Sequence, residues 1–141
     1  MALDLENLDA AVGALERALG ETAFSPAYVT LSSGTREVLR AGVIQCFEVA
    51  YEMCWKFMKR WLEVDAGVQL DGKTRRELFR YAAEHALLGD VDVWMEFHHS
   101  RNLTSHTYST ATADDVYAKA VAFMPHAKTF ATRMHELNDK A

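Results

Sequence analysis

The sequence predicts an all-α fold, an up-and-down antiparallel four-helix bundle of about five helices forming one domain over residues 1–141. Two observations lead there. Apolar residues recur every three to four positions through most of the chain, the repeat of a helix with one buried face. The one long connection, ETAFSPAYVTLSSG (21–34), contains the chain's only extended-looking run, Tyr28-Val29-Thr30-Leu31, and that run has no partner strand elsewhere. With 141 residues the chain is long enough to bury a core without disulfides or metal.

The first helix carries Leu5, Leu8, Val12, Leu15 and Leu19 on one face, with Asp4, Asp9, Glu16 and Arg17 between them, and Gly20 ends it. Pro26 and Ser32-Ser33-Gly34 mark the loop. A second helix is expected from Thr35 to Val64. It has one apolar row (Ile44, Phe47, Tyr51, Cys54, Met58, Trp61) beside another (Val43, Ala50, Phe57), and Gln45, Glu48, Glu52, Lys59 and Glu63 on its polar side. So wide an apolar arc suits burial against the bundle and against a second subunit.

Thr74-Arg75-Arg76-Glu77 has the spacing of a capping box, so a third helix starts there, carries Leu78, Ala82, Ala86 and Leu87, and stops at Gly89. Asp90 or Asp92 caps a fourth, with Val91, Trp94 and Met95 inward. Thr112-Ala113-Asp114-Asp115 caps the last, in which Pro125 predicts a kink between Val121 and Pro125.

Composition narrows function. The formal charge is −5, from 20 acidic and 15 basic residues, so broad electrostatic capture of nucleic acid is disfavoured and any RNA contact is local. No run is long enough to cross a membrane, and the acidic start lacks the pattern of a signal peptide, so the chain reads as cytoplasmic. Cys46 and Cys54 lie eight apart, about 80° around and roughly 12 Å along a helix, which is too far for a disulfide and fits reduced core thiols.

The densest polar stretch is RNLTSHTY, Arg101 to Tyr108. Arg101 is a fork of donors suited to phosphate oxygens, and His106 can take and return a proton near neutral pH. Together they suffice for metal-free RNA cleavage: the imidazole deprotonates a 2′-OH, and the guanidinium stabilises the charge that develops on the phosphate. Taken alone, an Arg and a His five apart are more often a helix terminus with surface residues. If the helix continues, Arg101 and His106 point about 140° apart, while Asn102 and His106 are i,i+4 neighbours, so Asn102 can orient the imidazole. Arg101 then requires a second copy of the segment at a two-fold axis. Tyr108 is either a modifiable exposed phenol or a ring packed on the bundle end.

Other groups carry weaker signals. His85, His98, His99 and His106 lack metal-ligand spacing, and His126 and His135 read as surface residues; no metal or other cofactor is called for. Lys56, Lys59 and Arg60 on one helix, and Lys73, Arg75, Arg76 and Arg80 at the start of the third, are either solvated surface or a local phosphate- or partner-binding patch.

The pieces CFEVAYEMCWKFMKRWLE (46–63), RELFRYAAEHALLGDVDVWMEFHHSRNLTSHTY (76–108) and TADDVY (112–117) resemble the nucleotidyltransferase substrate-binding family of HEPN proteins. The resemblance spans about Leu3 to Met134. Its most specific part is R-N-x-x-x-H-x-Y, here Arg101, Asn102, His106 and Tyr108. It implies a dimerising helical bundle acting as the ribonuclease toxin of a toxin–antitoxin pair, with Arg101 and His106 catalytic. The implied antitoxin is a small nucleotidyltransferase of the MNT type that transfers AMP onto Tyr108. The alternative is a non-catalytic module that presents a substrate to that nucleotidyltransferase.

Overall fold

The computed structural model describes residues 2–141. It holds five α-helices: α1 (Glu6–Gly20), α2 (Ser33–Val64), α3 (Arg75–Glu84), α4 (Val91–Asn102) and α5 (Thr110–Asp139). Cross-contacts give the directions. Asp9 meets His135, and Leu3 meets Asn138, so α1 runs antiparallel to α5. Tyr51 meets His98 and Glu48 meets Thr104, so α2 opposes α4. Trp94 lies on Phe130 and Phe97 on His126, so α4 opposes α5. The long helices therefore run up, down, up, down as the sequence predicts, with α3 as a short insert before α4.

The core is aromatic at its centre. Phe123 of α5 packs edge-to-face against Phe47, Tyr51, Trp94 and Phe97, with centroid separations of 5.0–6.3 Å. Rings at these distances and tilts place positive edges on negative faces, which fixes orientation as well as burying area. One such cluster couples α2, α4 and α5, so displacement of one helix is felt by the others. Cys54 is buried here, and burial raises its thiol pKa; Cys46 is only half-buried, and both are unpaired.

Several helix ends differ from the sequence expectations, each for a local reason. Tyr28–Thr30 forms a 3-10 turn rather than an extended run, closed by Leu31 N–H onto Tyr28 O. α2 begins two residues early because Ser32 caps it by accepting from Thr35 N–H. At α3, Thr74 accepts from Glu77 N–H as expected, but the Glu77 carboxylate takes the Thr74 hydroxyl (3.2 Å) instead of reaching the backbone. α3 ends at Glu84, well before Gly89, because Ala86 adopts the left-handed conformation (φ 58°) and Leu87 N–H turns back to Ala82 O. α5 begins at Thr110, with Ser109 and not the Thr112 segment as its cap. It continues as one helix past Pro125. Asp90, one of the two candidates, caps α4 by accepting from Asp92 and Val93 N–H. No described helix is long and apolar enough to cross a membrane.

A left-handed alanine carries a Cβ–carbonyl clash worth about 1–2 kcal/mol that glycine avoids, against about 0.5–1 kcal/mol of added chain entropy. Ala86→Gly is therefore expected to stabilise the fold by up to about 1 kcal/mol, read as a rise in Tm; a fall in Tm would contradict the assignment of the α3 cap.

Candidate functional site

The RNLTSHTY segment straddles the end of α4. The helix stops at Asn102, Leu103 N–H closes onto Ser100 O, and Thr104–His106 form a 3-10 turn that leads to α5. Polar residues gather here because the chain must cross from α4 to α5 over a bundle end with little apolar surface to cover.

Arg101 lies against α2. Its Nε donates to Glu52 Oε1 at 3.0 Å, its Nη2 stands 3.8 Å from Glu48 Oε1, and its Nη1 reaches Thr104 Oγ1 at 3.4 Å. The Thr104 hydroxyl sits 2.7 Å from Glu48 Oε2 and 2.8 Å from Arg101 O, and with one proton it satisfies one of them at a time. Two carboxylates thus surround one guanidinium whose side chain is 28% exposed. A guanidinium has five N–H donors, so a further acceptor can still bind its remaining edge.

His106 and Tyr108 face outward. Both are exposed, Tyr108 by 89%, and their rings stand 6.4 Å apart in an edge-on arrangement. The expected Asn102–His106 pairing does not form. That pairing requires the helix to continue through residue 106, whereas α4 ends at Asn102 and the 3-10 turn rotates His106 away. Among the described residues the His106 ring makes no hydrogen bond.

Asn102 instead joins a network that spacing could not reveal. Arg75 Nη1 lies 2.9 Å from Tyr51 OH and 3.3 Å from His98 Nδ1, and Tyr51 OH lies 2.9 Å from the same Nδ1. Arg75 can only donate, so the phenol accepts from it and passes its own proton to Nδ1. The neutral ring then carries its proton on Nε2, where Asn102 Nδ2 stands at 3.4 Å. A proton there calls for the amide oxygen, so the network dictates an Asn102 amide turned over. Burial, and then the adjacent Arg75 cation, lower the His98 pKa; burial also raises that of Tyr51.

The other predicted groups separate. Lys56 pairs with Glu52 and Arg76 with Asp92, as solvated surface would. Lys59, Lys73 and Arg75 come together with Trp55 and His98 around one cleft. His85 packs edge-on to Trp61, His126 lies on Phe97 and His135 pairs with Asp9. Among the described residues no three His, Cys, Asp or Glu side chains converge in a way that would hold a metal ion.

Known proteins resemble this chain in sequence and architecture. Residues 3–136 match the family described as "Nucleotidyltransferase substrate binding protein like". The chain is 32% identical over 138 residues to a Haemophilus influenzae protein named "Probable ribonuclease HepT", covering 96% of this chain and 94% of that protein. Among solved structures it resembles HI0074 of Haemophilus influenzae, described as revealing the fold of a substrate-binding domain of a nucleotidyltransferase. The TM-score is 0.86 at 32% identity, over 94% of this chain and 99% of that one. A crystal structure of a Thermus thermophilus protein matches with TM-score 0.72 at 25% identity, over 90% of this chain and 98% of that one. The chain belongs to the nucleotidyltransferase substrate-binding family, with its helical fold.

The network makes a pH prediction. The His98 pKa in the fold lies below the ordinary 6.5, so the unfolded chain binds the extra proton more readily. Stability should be fully present above pH 6.5 and fall as pH drops from there through the folded-state pKa. Urea denaturation across that range checks the sign. NMR titration of His98 should show its pKa rising in Arg75→Gln; an unchanged pKa there would contradict the contact.

Proposed function

We propose that this chain is a HEPN-type, metal-independent endoribonuclease that works as a homodimer, the toxin of a toxin–antitoxin pair restrained by an MNT-type nucleotidyltransferase. The observation that carries the reading is the division within one eight-residue segment: Arg101 held against α2, and His106 exposed with no hydrogen-bond partner among the described residues. A base must meet its substrate's proton, and an unengaged imidazole does so without first breaking a bond. The relationship to a protein named a ribonuclease over nearly the full chain supports the same reaction class.

In this mechanism His106 takes the proton of a ribose 2′-OH, whose oxygen attacks the adjacent phosphorus. The bond to the 5′-oxygen breaks, and that oxygen takes a proton from water. The products are a 2′,3′-cyclic phosphate and a 5′-hydroxyl. Arg101 binds the phosphate through its remaining donors, with Glu48, Glu52 and Thr104 fixing the fork. Asn102, within hydrogen-bond reach of His98 and next to Arg101 in the chain, acts as a positioning residue.

The homodimer is supported by the outer side of α2. Val38, Val49, Met53, Phe57 and Val64 lie within an arc of about 100° on that helix, interspersed with Lys56 and Arg60. Val38, Val49 and Val64 are 71%, 40% and 50% exposed. Glu52 borders this stripe about 40° from Val38, so a second copy seated there would approach Arg101 and His106. Tyr108 stands beside His106 with its phenol exposed. An AMP group on that oxygen would place an anionic phosphodiester where it competes with RNA for Arg101.

The second reading is a non-catalytic subunit that presents a substrate to the nucleotidyltransferase. The net charge of −5 and the two carboxylates on Arg101 favour it.

His106→Ala is expected to lower RNA cleavage about a hundred- to ten-thousand-fold while leaving the circular dichroism spectrum unchanged. Cleavage equal to the parent chain, or products without a cyclic phosphate, would exclude the mechanism. Incubation with the nucleotidyltransferase and ATP should add one AMP to the intact mass, and Tyr108→Phe should abolish it. An increment that survives Tyr108→Phe would place the modification elsewhere.

A further inference from the structure

A cleft of about 370 Å³ opens between α2, the start of α3 and α4, with Trp55, Lys59, Lys73, Thr74, Arg75 and His98 in its wall. Arg75 is its centre. Its guanidinium carbon sits 3.7 Å from the centroid of the Trp55 ring, a stacked arrangement, while Nη1 is tied to Tyr51 and His98. The fork is therefore held rigid before any ligand arrives, which lowers the entropy lost on binding.

Its charge is not balanced. Arg76 and Arg101 each have a carboxylate within 4 Å, but among the described residues neither Arg75 nor Lys59 has one. Lys73 stands 3.9 Å from Glu77, and exposed Asp71 is the one acidic residue in the wall, against three cations. A half-buried guanidinium fixed without a counter-ion in a protein of net charge −5 marks a place that an anion completes.

The location narrows which anion. His98 joins Arg75 to Asn102, and Glu52 joins Trp55 to Arg101, so the cleft abuts the Arg101 site on two sides. His98 and Asn102 are one helical turn apart, about 6 Å along α4, which a single strand covers in one or two nucleotides.

We propose that this cleft seats a backbone phosphate of single-stranded RNA, one or two nucleotides away from the phosphate that meets Arg101 and His106. The inference rests on the ribonuclease reading for its direction along the strand. The contact is to the backbone, so it sets register and affinity and carries no base preference.

The test is binding of a short 2′-O-methyl oligoribonucleotide, which cannot be cleaved, to the full chain carrying His106→Ala, by fluorescence anisotropy over a salt series. Adding Arg75→Gln or Lys59→Gln should each weaken binding roughly fivefold or more and reduce the slope of log affinity against log salt by about 0.7. Lys128→Gln, on α5 where Lys128 pairs with Glu16 outside the cleft, should change neither. Parental affinity and slope in the folded Lys59→Gln and Lys59→Gln/Lys73→Gln chains would overturn the proposal, even if Arg75→Gln fails to fold. So would no binding by the His106→Ala chain, or inorganic phosphate quenching Trp55 as tightly as the oligonucleotide does. Arg75-dependent binding by a chain whose parent cuts no RNA would uphold the cleft and remove the ribonuclease reading.

Discussion

The grip of Glu48 and Glu52 on Arg101 is the constraint on which the site depends. It joins the C-terminal turn of α4 to the middle of α2 through a half-buried, charge-assisted contact, and Thr104 extends that contact into the following 3-10 turn. The grip settles where Arg101 points. Its guanidinium lies on α2, whereas His106 of the same chain is exposed. A phosphate approaching Arg101 must share it with two carboxylates, which weakens casual anion binding and confines capture to a ligand that makes further contacts. Under the proposed function, the Arg75 cleft and a second copy's His106 would supply those contacts.

Charge is arranged to the same end. The chain is acidic overall, yet Arg75 and Lys59, neither with a carboxylate within 4 Å among the described residues, share one cleft next to the Arg101 segment. A strand would be held over a short stretch and released after cutting, in keeping with a site that is local and not a broad basic surface.

Much of the fold was legible in the sequence because helices announce themselves locally. The apolar rows of α1, α2 and α5 place Leu8, Phe47, Cys54 and Phe130 in the core as the repeat requires, and Asp90 and Thr74 cap as their spacing says. Two of the errors share a cause: a local rule carried past the point where the helix ends. The repeat assigns Ala86 and Leu87 to α3 although the chain has already turned, and it pairs Asn102 with His106 across a turn that is not α-helical. The network of Tyr51, Arg75, His98 and Asn102 was invisible for a different reason. Its members come from three helices and meet only when the bundle closes, so no window of sequence holds them together. The one available signal was the cluster of Lys73, Arg75 and Arg76 beside a capping threonine, which spacing alone could not tell from solvated surface.

The central claim is that a working site takes Arg101 from one copy and His106 from another. Mixing chains carrying Arg101→Gln with chains carrying His106→Ala tests it most directly. Each mutant homodimer should be inactive, but the mixed dimer would contain one complete pair across its interface. RNA cleavage is expected to return on mixing, to roughly a quarter of the wild-type rate: half of the dimers are mixed, and each has one of its two sites intact. Mixed dimers that form, as detected by native mass spectrometry, and yet remain as inactive as either parent would contradict a site shared between copies.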